Sequence, residues 1–167
     1  MGISDGIKRL ADEKIRPNLA LSLHSTNNQL RSQLIPVAQN YSLVDLAKSI
    51  DYYIRQTRQR VMFEYLMLEG YNDSEEQAME LASFVKQFRK PASFPSTRNF
   101  YFVNLIAYNL ARLAGVESLQ DFRASGVGQI NKFKEILQTE GIEVVQRYKF
   151  GEDIKGACGQ LAGKGAN

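Results

Sequence analysis

A single cysteine and a single histidine in 167 residues set the first limits on this chain. One cysteine permits no intramolecular disulfide and cannot by itself hold a cysteine-ligated metal, so no metal ligand set is expected from this sequence. One histidine leaves no partner for a two-histidine metal site and no evident nucleophile to activate. No apolar run reaches the ~20 residues a membrane span requires, and no apolar leader opens the sequence; no membrane contact and a cytoplasmic setting are expected. Charge of one sign is also scarce. The net charge of +3 would suit a polyanionic partner but describes many ordinary proteins. The basic clusters at Arg55, Arg58 and Arg60 and at Lys86, Arg89 and Lys90 fall at expected helix ends, where cations favour the helix dipole.

What is present is enough for one folded domain: 44% hydrophobic and 23% charged residues over a length that supports a real core. Helical spacing of Ile7, Leu10, Ala11 and Ile15 predicts a helix over 4–16, capped by Ser4 or Asp5 and stopped by Pro17. Residues 18–24 are short, apolar and bounded by turn formers, the pattern of a strand buried on both faces. A polar segment follows, and Ser42 opens a helix to about Gln56 with Leu43, Leu46, Ala47, Ile50 and Ile54 on one face. Residues 60–68 read as the second strand, with Gly70, Asn72 and Asp73 turning the chain. Ser74 with Gln77 makes a capping-box pattern for a helix to about Phe88. Residues 90–98, with Pro91 and Pro95, read as a loop. A third strand over Phe100–Tyr108, a helix over 129–140 and a last strand over Ile142–Tyr148 complete residues 1–150; residues 110–127 carry no clear pattern. Residues 151–167 form a glycine-rich tail.

Strands and helices therefore alternate, with the larger strands about forty residues apart, the spacing parallel crossovers need. Periodicity does not report closure, so half of a barrel and a small doubly wound sheet both fit. In either, ligands sit at the carboxyl ends of the strands. Ser22 and His24 end the first strand, Glu64 lies within the second, Asn109 follows the third and Cys158 the fourth. Each has a plain alternative. A lone histidine is most often a hydrogen-bonded structural one, and an asparagine after a strand is most often a turn residue. Glu64, if it faces the interior, needs a partner, for which Arg60 is a candidate in a different register. Cys158 is either a small buried hydrophobe or, among glycines and flanked by Lys155 and Lys164, an exposed thiol.

Four ordered blocks carry a resemblance. They are Leu19-Ala20-Leu21-Ser22-Leu23-His24, Phe63-Glu64-Tyr65 running to Gly70-Tyr71-Asn72-Asp73, Val103-Asn104-Leu105-Ile106 followed by Tyr108-Asn109, and Ala157-Cys158-Gly159-Gln160-Leu161. Together they resemble the C-terminal half of the radical S-adenosylmethionine RNA methyltransferases that modify adenine at carbon two, the RlmN/Cfr family. The resemblance implies an α/β fold of parallel strand-helix repeats, the second half of a partial (β/α)6 barrel, with the tail carrying a methyl-carrier cysteine. It assigns S-adenosylmethionine contacts to Ser22, Leu23, His24 and Asn109. It makes Cys158 the residue that accepts a methyl group from one S-adenosylmethionine, while a second is cleaved at a four-iron four-sulfur cluster and its radical takes hydrogen from the S-methyl group. The implied RNA partners are large-subunit ribosomal RNA and transfer RNA.

The sequence departs from the family pattern in places. Ala107 and the run Asn109-Leu110-Ala111 stand where the family has prolines. The chain is lengthened around Pro91–Arg98 and between Asn109 and Phe122. The CxxxCxxC loop that holds the cluster is absent, so the chain alone is expected to be inactive and to need a cluster-bearing N-terminal half, in the same or another chain. A half barrel also leaves open sheet edges, which predict self-association or pairing with that half. The alternative is a non-enzymatic RNA-binding or assembly module that kept the fold.

Overall fold

The computed structural model describes residues 2–88, 99–108 and 122–147. Asn109, Cys158, the lengthened segment 91–98, most of the second one and the tail 151–167 lie outside the described residues. Within them, four strands form one parallel sheet: β1 (Leu19–Ser22), β2 (Val61–Met67), β3 (Tyr101–Ala107) and β4 (Val144–Arg147). Their order across the sheet is β1-β2-β3-β4. A doubly wound sheet must reverse its strand order at a switch point. Here every crossover steps the same way, as in a barrel wall, and the helices fall on one face.

That face is built by strict alternation. Leu19 and Leu21 of β1, Val61, Phe63, Tyr65 and Met67 of β2, and Val103 and Leu105 of β3 join one buried cluster with the helices. The helices are α1 (Ser4–Asp12), α2 (Asn28–Leu34), α3 (Leu43–Thr57), α4 (Glu75–Lys86) and α5 (Val127–Thr139). α3 presents Leu46, Ile50 and Ile54, α4 Ala78, Leu81 and Val85, and α5 Ile130, Phe133 and Leu137. Phe63 stacks on Phe88 with centroids 5.8 Å apart, and Tyr65 meets Phe133 at 5.3 Å. The opposite positions, Ala20, Met62, Leu66, Phe102 and Ile106, do not enter that cluster. β1 therefore differs from the doubly buried strand its sequence suggests: its exposed Ala20 lies on a face that no described element covers.

Local signals explain most boundaries. Ser42 accepts from the Asp45 N–H at the start of α3, and the Ser74/Gln77 capping box forms in full. α1 is different. Its N-cap is Ile3, no side chain caps it, and Ser4 and Asp5 lie inside its first turn. It ends at Asp12, short of the expected residue 16, and Ile15 is 76% exposed. Pro17 disfavours helix at Arg16, and an outward Ile15 offers the core nothing. The polar segment after β1 is not a loop throughout: Asn27 caps α2 by accepting from Gln29 and Leu30 N–H, and a 3-10 turn follows over Pro36–Asn40. Of α2 the residue buried is Arg31, which is why apolar periodicity could not find it.

Candidate functional site

The face opposite the helices is ordered in rows, because parallel strands in register set like positions side by side. Ser22, Glu64, Asn104 and Val145 are successive partners across the four strands. Three of the four are polar, in strands otherwise rich in aliphatic and aromatic residues. The Ser22 hydroxyl donates to a Glu64 carboxylate oxygen at 3.4 Å, and Asn104 is buried. Glu64 thus faces the barrel interior, one of the two settings its sequence left open. Asn104 is a site residue that sequence reasoning passed over. Its signal was present: it alternates with Phe102 and Ile106 at period two, the same parity that puts Glu64 on this face.

Arg60 does not serve Glu64. It lies four residues earlier on the same face, about 13 Å along the strand, and its Nη2 pairs with Glu143 at 3.0 Å while its guanidinium sits 4.4 Å over the Phe102 ring. Asn99 also donates to Glu143. This bridge from the start of β2 to the start of β4 occupies the amino end of the face.

At the carboxyl end the chain leaves β1 through Leu23 and His24. The N–H groups of both donate to the Glu64 carbonyl, at 3.0 and 3.2 Å. Leu23 is fully buried, and its N–H is committed to that carbonyl. His24 has φ of 58°, a left-handed conformation uncommon outside glycine, asparagine and aspartate. Its Nδ1 accepts from the Leu66 N–H at 3.2 Å, which places the ring proton of the neutral form on Nε2. Burial lowers the His24 pKa from 6.5 to about 4, with the nearby positive charge of Arg31 adding to the effect and the Glu64 backbone carbonyl opposing it. The imidazole is neutral at pH 7.

Asn72 fixes this arrangement. It is fully buried, and its Nδ2 donates to the carbonyls of His24 at 2.8 Å and Leu66 at 2.6 Å, while its Oδ1 accepts from Leu68 N–H at 2.7 Å. The Tyr65 hydroxyl donates to the Asn72 carbonyl at 2.9 Å. Sequence reasoning assigned Asn72 to a turn. The turn exists, but the side chain spans the ends of two strands.

Among the described residues no group of three or more histidine, cysteine or acidic side chains converges to hold a metal. With one cysteine in the whole sequence, the donors an iron-sulfur cluster needs are not here. The carboxyl end, with a hydroxyl, a carboxylate, a buried amide and a neutral imidazole, has the polar groups a small polar ligand would need. No described helix is long and apolar enough to cross a membrane.

The fold is a radical S-adenosylmethionine type of partial barrel. A solved radical SAM methyltransferase from Sphaerobacter thermophilus superposes with a TM-score of 0.79 at 36% identity, over 95% of this chain and 42% of that one. A domain of a pyruvate-formate lyase-activating enzyme from Bacteroides vulgatus, at TM-score 0.58 and 15% identity, shares the fold alone. No family model matches the sequence. Curated relatives do: the chain is 39% identical over 163 residues to a probable dual-specificity RNA methyltransferase RlmN from Carboxydothermus hydrogenoformans, covering 98% of this chain and 43% of that protein. Proteins of the same description from Streptococcus mutans and Spiroplasma citri are each 39% identical, over 96% and 98% of this chain. The chain belongs to the RlmN family and spans about two-fifths of the length of the curated relatives it matches.

Proposed function

We propose that this chain is the C-terminal, cofactor-facing half of a radical S-adenosylmethionine methyltransferase acting on adenine in large-subunit ribosomal RNA or transfer RNA. The observation that carries the reading is the row Ser22–Glu64–Asn104 on the face opposite the helices of a singly wound parallel sheet, ending at a neutral His24. Ligands of such sheets lie at the carboxyl ends of the strands. In this reading Ser22, Leu23 and His24 orient S-adenosylmethionine, and Asn109, which follows β3, contacts it as well. His24 offers an Nε2–H donor and, being neutral, adds no charge beside a sulfonium cation. S-adenosylmethionine supplies a methyl group when bound. Cys158, in the tail of residues 151–167, would accept that methyl group as its thiolate, the thiol proton passing to solvent and S-adenosylhomocysteine leaving.

The residues present do not fit an iron-sulfur cluster, so the radical step belongs to a companion half that carries it, and this chain alone is inactive. The test is calorimetric titration of the purified chain with S-adenosylmethionine, beside Ser22→Ala, His24→Asn and Cys158→Ala. Loss of one hydrogen bond to the ligand is worth ~1 kcal/mol, so Ser22→Ala and His24→Asn each weaken binding about five- to tenfold. Cys158→Ala leaves the affinity unchanged, because its role is to accept the methyl group. Absence of binding at millimolar ligand overturns the cofactor site in the isolated chain and favours the RNA-binding or assembly module in its place.

A further inference from the structure

Glu64 and Asn104 are register partners in the two central strands of the sheet, and on the same face each is flanked by apolar rows. Met62 and Phe102 make the row nearer the amino end, Leu66 and Ile106 the row nearer the carboxyl end, and all four are half-buried. Neither polar side chain is satisfied by the fold. The Glu64 carboxylate accepts from the Ser22 hydroxyl at 3.4 Å, longer than such bonds usually are, and it forms no ion pair among the described residues. Asn104 is 5% exposed, and its amide has no hydrogen-bond partner among the described residues. A buried amide without a partner and a half-buried carboxylate without a cation are each costly, and here they stand side by side. The spacing sets what they can meet. Neighbouring strands lie about 4.8 Å apart, so one nitrogen carrying two hydrogens can stand between the two side chains and donate to both. The Asn104 Nδ2 then meets an acceptor beside that amine, the pairing by which asparagine reads adenine. The apolar rows lie about 7 Å along the strands to either side, the spacing for a flat ring standing edge-on between them.

We propose that Glu64 and Asn104 are the base-reading pair of a subsite for a 6-aminopurine. The exocyclic amine donates to the Glu64 carboxylate and to the Asn104 Oδ1, and a ring nitrogen beside it accepts from the Asn104 Nδ2. Leu66 and Ile106 cover one face of the ring, Met62 and Phe102 the other. A 6-oxopurine is refused, because its carbonyl oxygen would face the Glu64 carboxylate and its ring N–H the Asn104 donor. Two adenines occur in the function proposed above, that of S-adenosylmethionine and the base to be methylated. The choice between them rests on that reading, whereas the subsite itself rests on the row.

The test titrates adenosine, inosine and cytidine into the native chain, Glu64→Gln and Asn104→Leu, followed by nuclear magnetic resonance, and repeats the adenosine series with S-adenosylmethionine at saturation. The native chain is expected to bind adenosine at least about tenfold more tightly than inosine, the discrimination a good pair of base contacts gives. Glu64→Gln puts a donor where an acceptor stood and narrows that ratio by admitting inosine. Asn104→Leu keeps the volume and weakens adenosine about tenfold. Adenosine displaced by S-adenosylmethionine assigns the subsite to the cofactor's base. Adenosine bound beside S-adenosylmethionine, or by a chain that binds no S-adenosylmethionine, assigns it to the base to be methylated; in the second case the cofactor reading alone falls. No adenosine binding up to its solubility limit, equal affinity for adenosine and inosine, or a ratio unchanged in Glu64→Gln overturns the subsite, and cytidine bound as tightly as adenosine overturns the purine assignment.

Discussion

The side-chain amide of Asn72 reaches back from the turn after β2 to donate to the backbone carbonyl of His24, the residue that leaves β1, at 2.8 Å. Two strand ends that are neighbours in the sheet are thereby joined by a residue belonging to neither. The left-handed backbone of His24 needs such support, since a non-glycine residue at φ of 58° is held by its surroundings rather than by its own preference. A glutamine would be too long and an alanine would leave two carbonyls and the Leu68 N–H unpaired.

Asn72→Ala is accordingly expected to destabilise the chain by about 3 kcal/mol or more, since each buried group left unsatisfied costs ~1–3 kcal/mol. Urea unfolding followed by circular dichroism measures it. A loss below ~1 kcal/mol would mean that water replaces the amide and that Asn72 does not hold His24.

The burial of His24 makes stability fall with acid in a stated window. Its folded pKa, about 4, lies below the unfolded value of 6.5, so between these two pH values the unfolded chain binds more protons. The contribution is fully present above pH 6.5 and is lost as pH falls towards 4, a total of ~3 kcal/mol. His24→Asn removes the titrating group while tolerating the left-handed backbone. Unfolding free energies measured from pH 7 to 4 should therefore decline less steeply in the variant. Parallel declines would place the acid sensitivity on other groups.

Much of this architecture is legible in the residues, and the exceptions have causes. Four strands and four of the helices follow from the periodicity of their apolar faces, and α3 and α4 also from their caps, Ser42 and the Ser74/Gln77 box. α2 escaped because the side chain it buries is a guanidinium. Singly and doubly wound sheets could not be told apart by periodicity; the pairing order decides it. At the site, Ser22, His24 and Glu64 are found from residue type and place, whereas Asn72 and Arg31 act through contacts 48 and 10 residues away in sequence, which no local pattern encodes.

The capping box of α4 gives a prediction independent of any ligand. Ser74 accepts from the Gln77 N–H at 3.2 Å and the Gln77 side chain accepts from the Ser74 N–H at 3.0 Å. Ser74→Ala is expected to cost ~1 kcal/mol. Ser74→Gly should cost only a few tenths, because water can reach the exposed N–H groups of that turn. Equal losses for the two variants would show that water does not replace the lost acceptor.

β1 borders β2 on one side, and no described strand pairs with its other side. The N–H groups of Leu19 and Leu23 point to β2, donating to Arg60 and Glu64 carbonyls, so those of Ala20 and Ser22 point outward to the open edge. An edge of this kind is a template for another strand. We expect the chain to self-associate at high concentration through it, or to take the companion half there. Ala20→Pro removes one outward N–H and leaves the β1–β2 ladder intact, since proline is tolerated on an edge strand whose N–H faces away from its neighbour. Sedimentation velocity over a concentration series should show the native chain shifting to larger species and Ala20→Pro remaining closer to the monomer. A native chain that stays monomeric throughout would show that this edge is protected. Association unchanged in the variant would move the contact to the half-buried face that Met62, Leu66, Phe102 and Ile106 line.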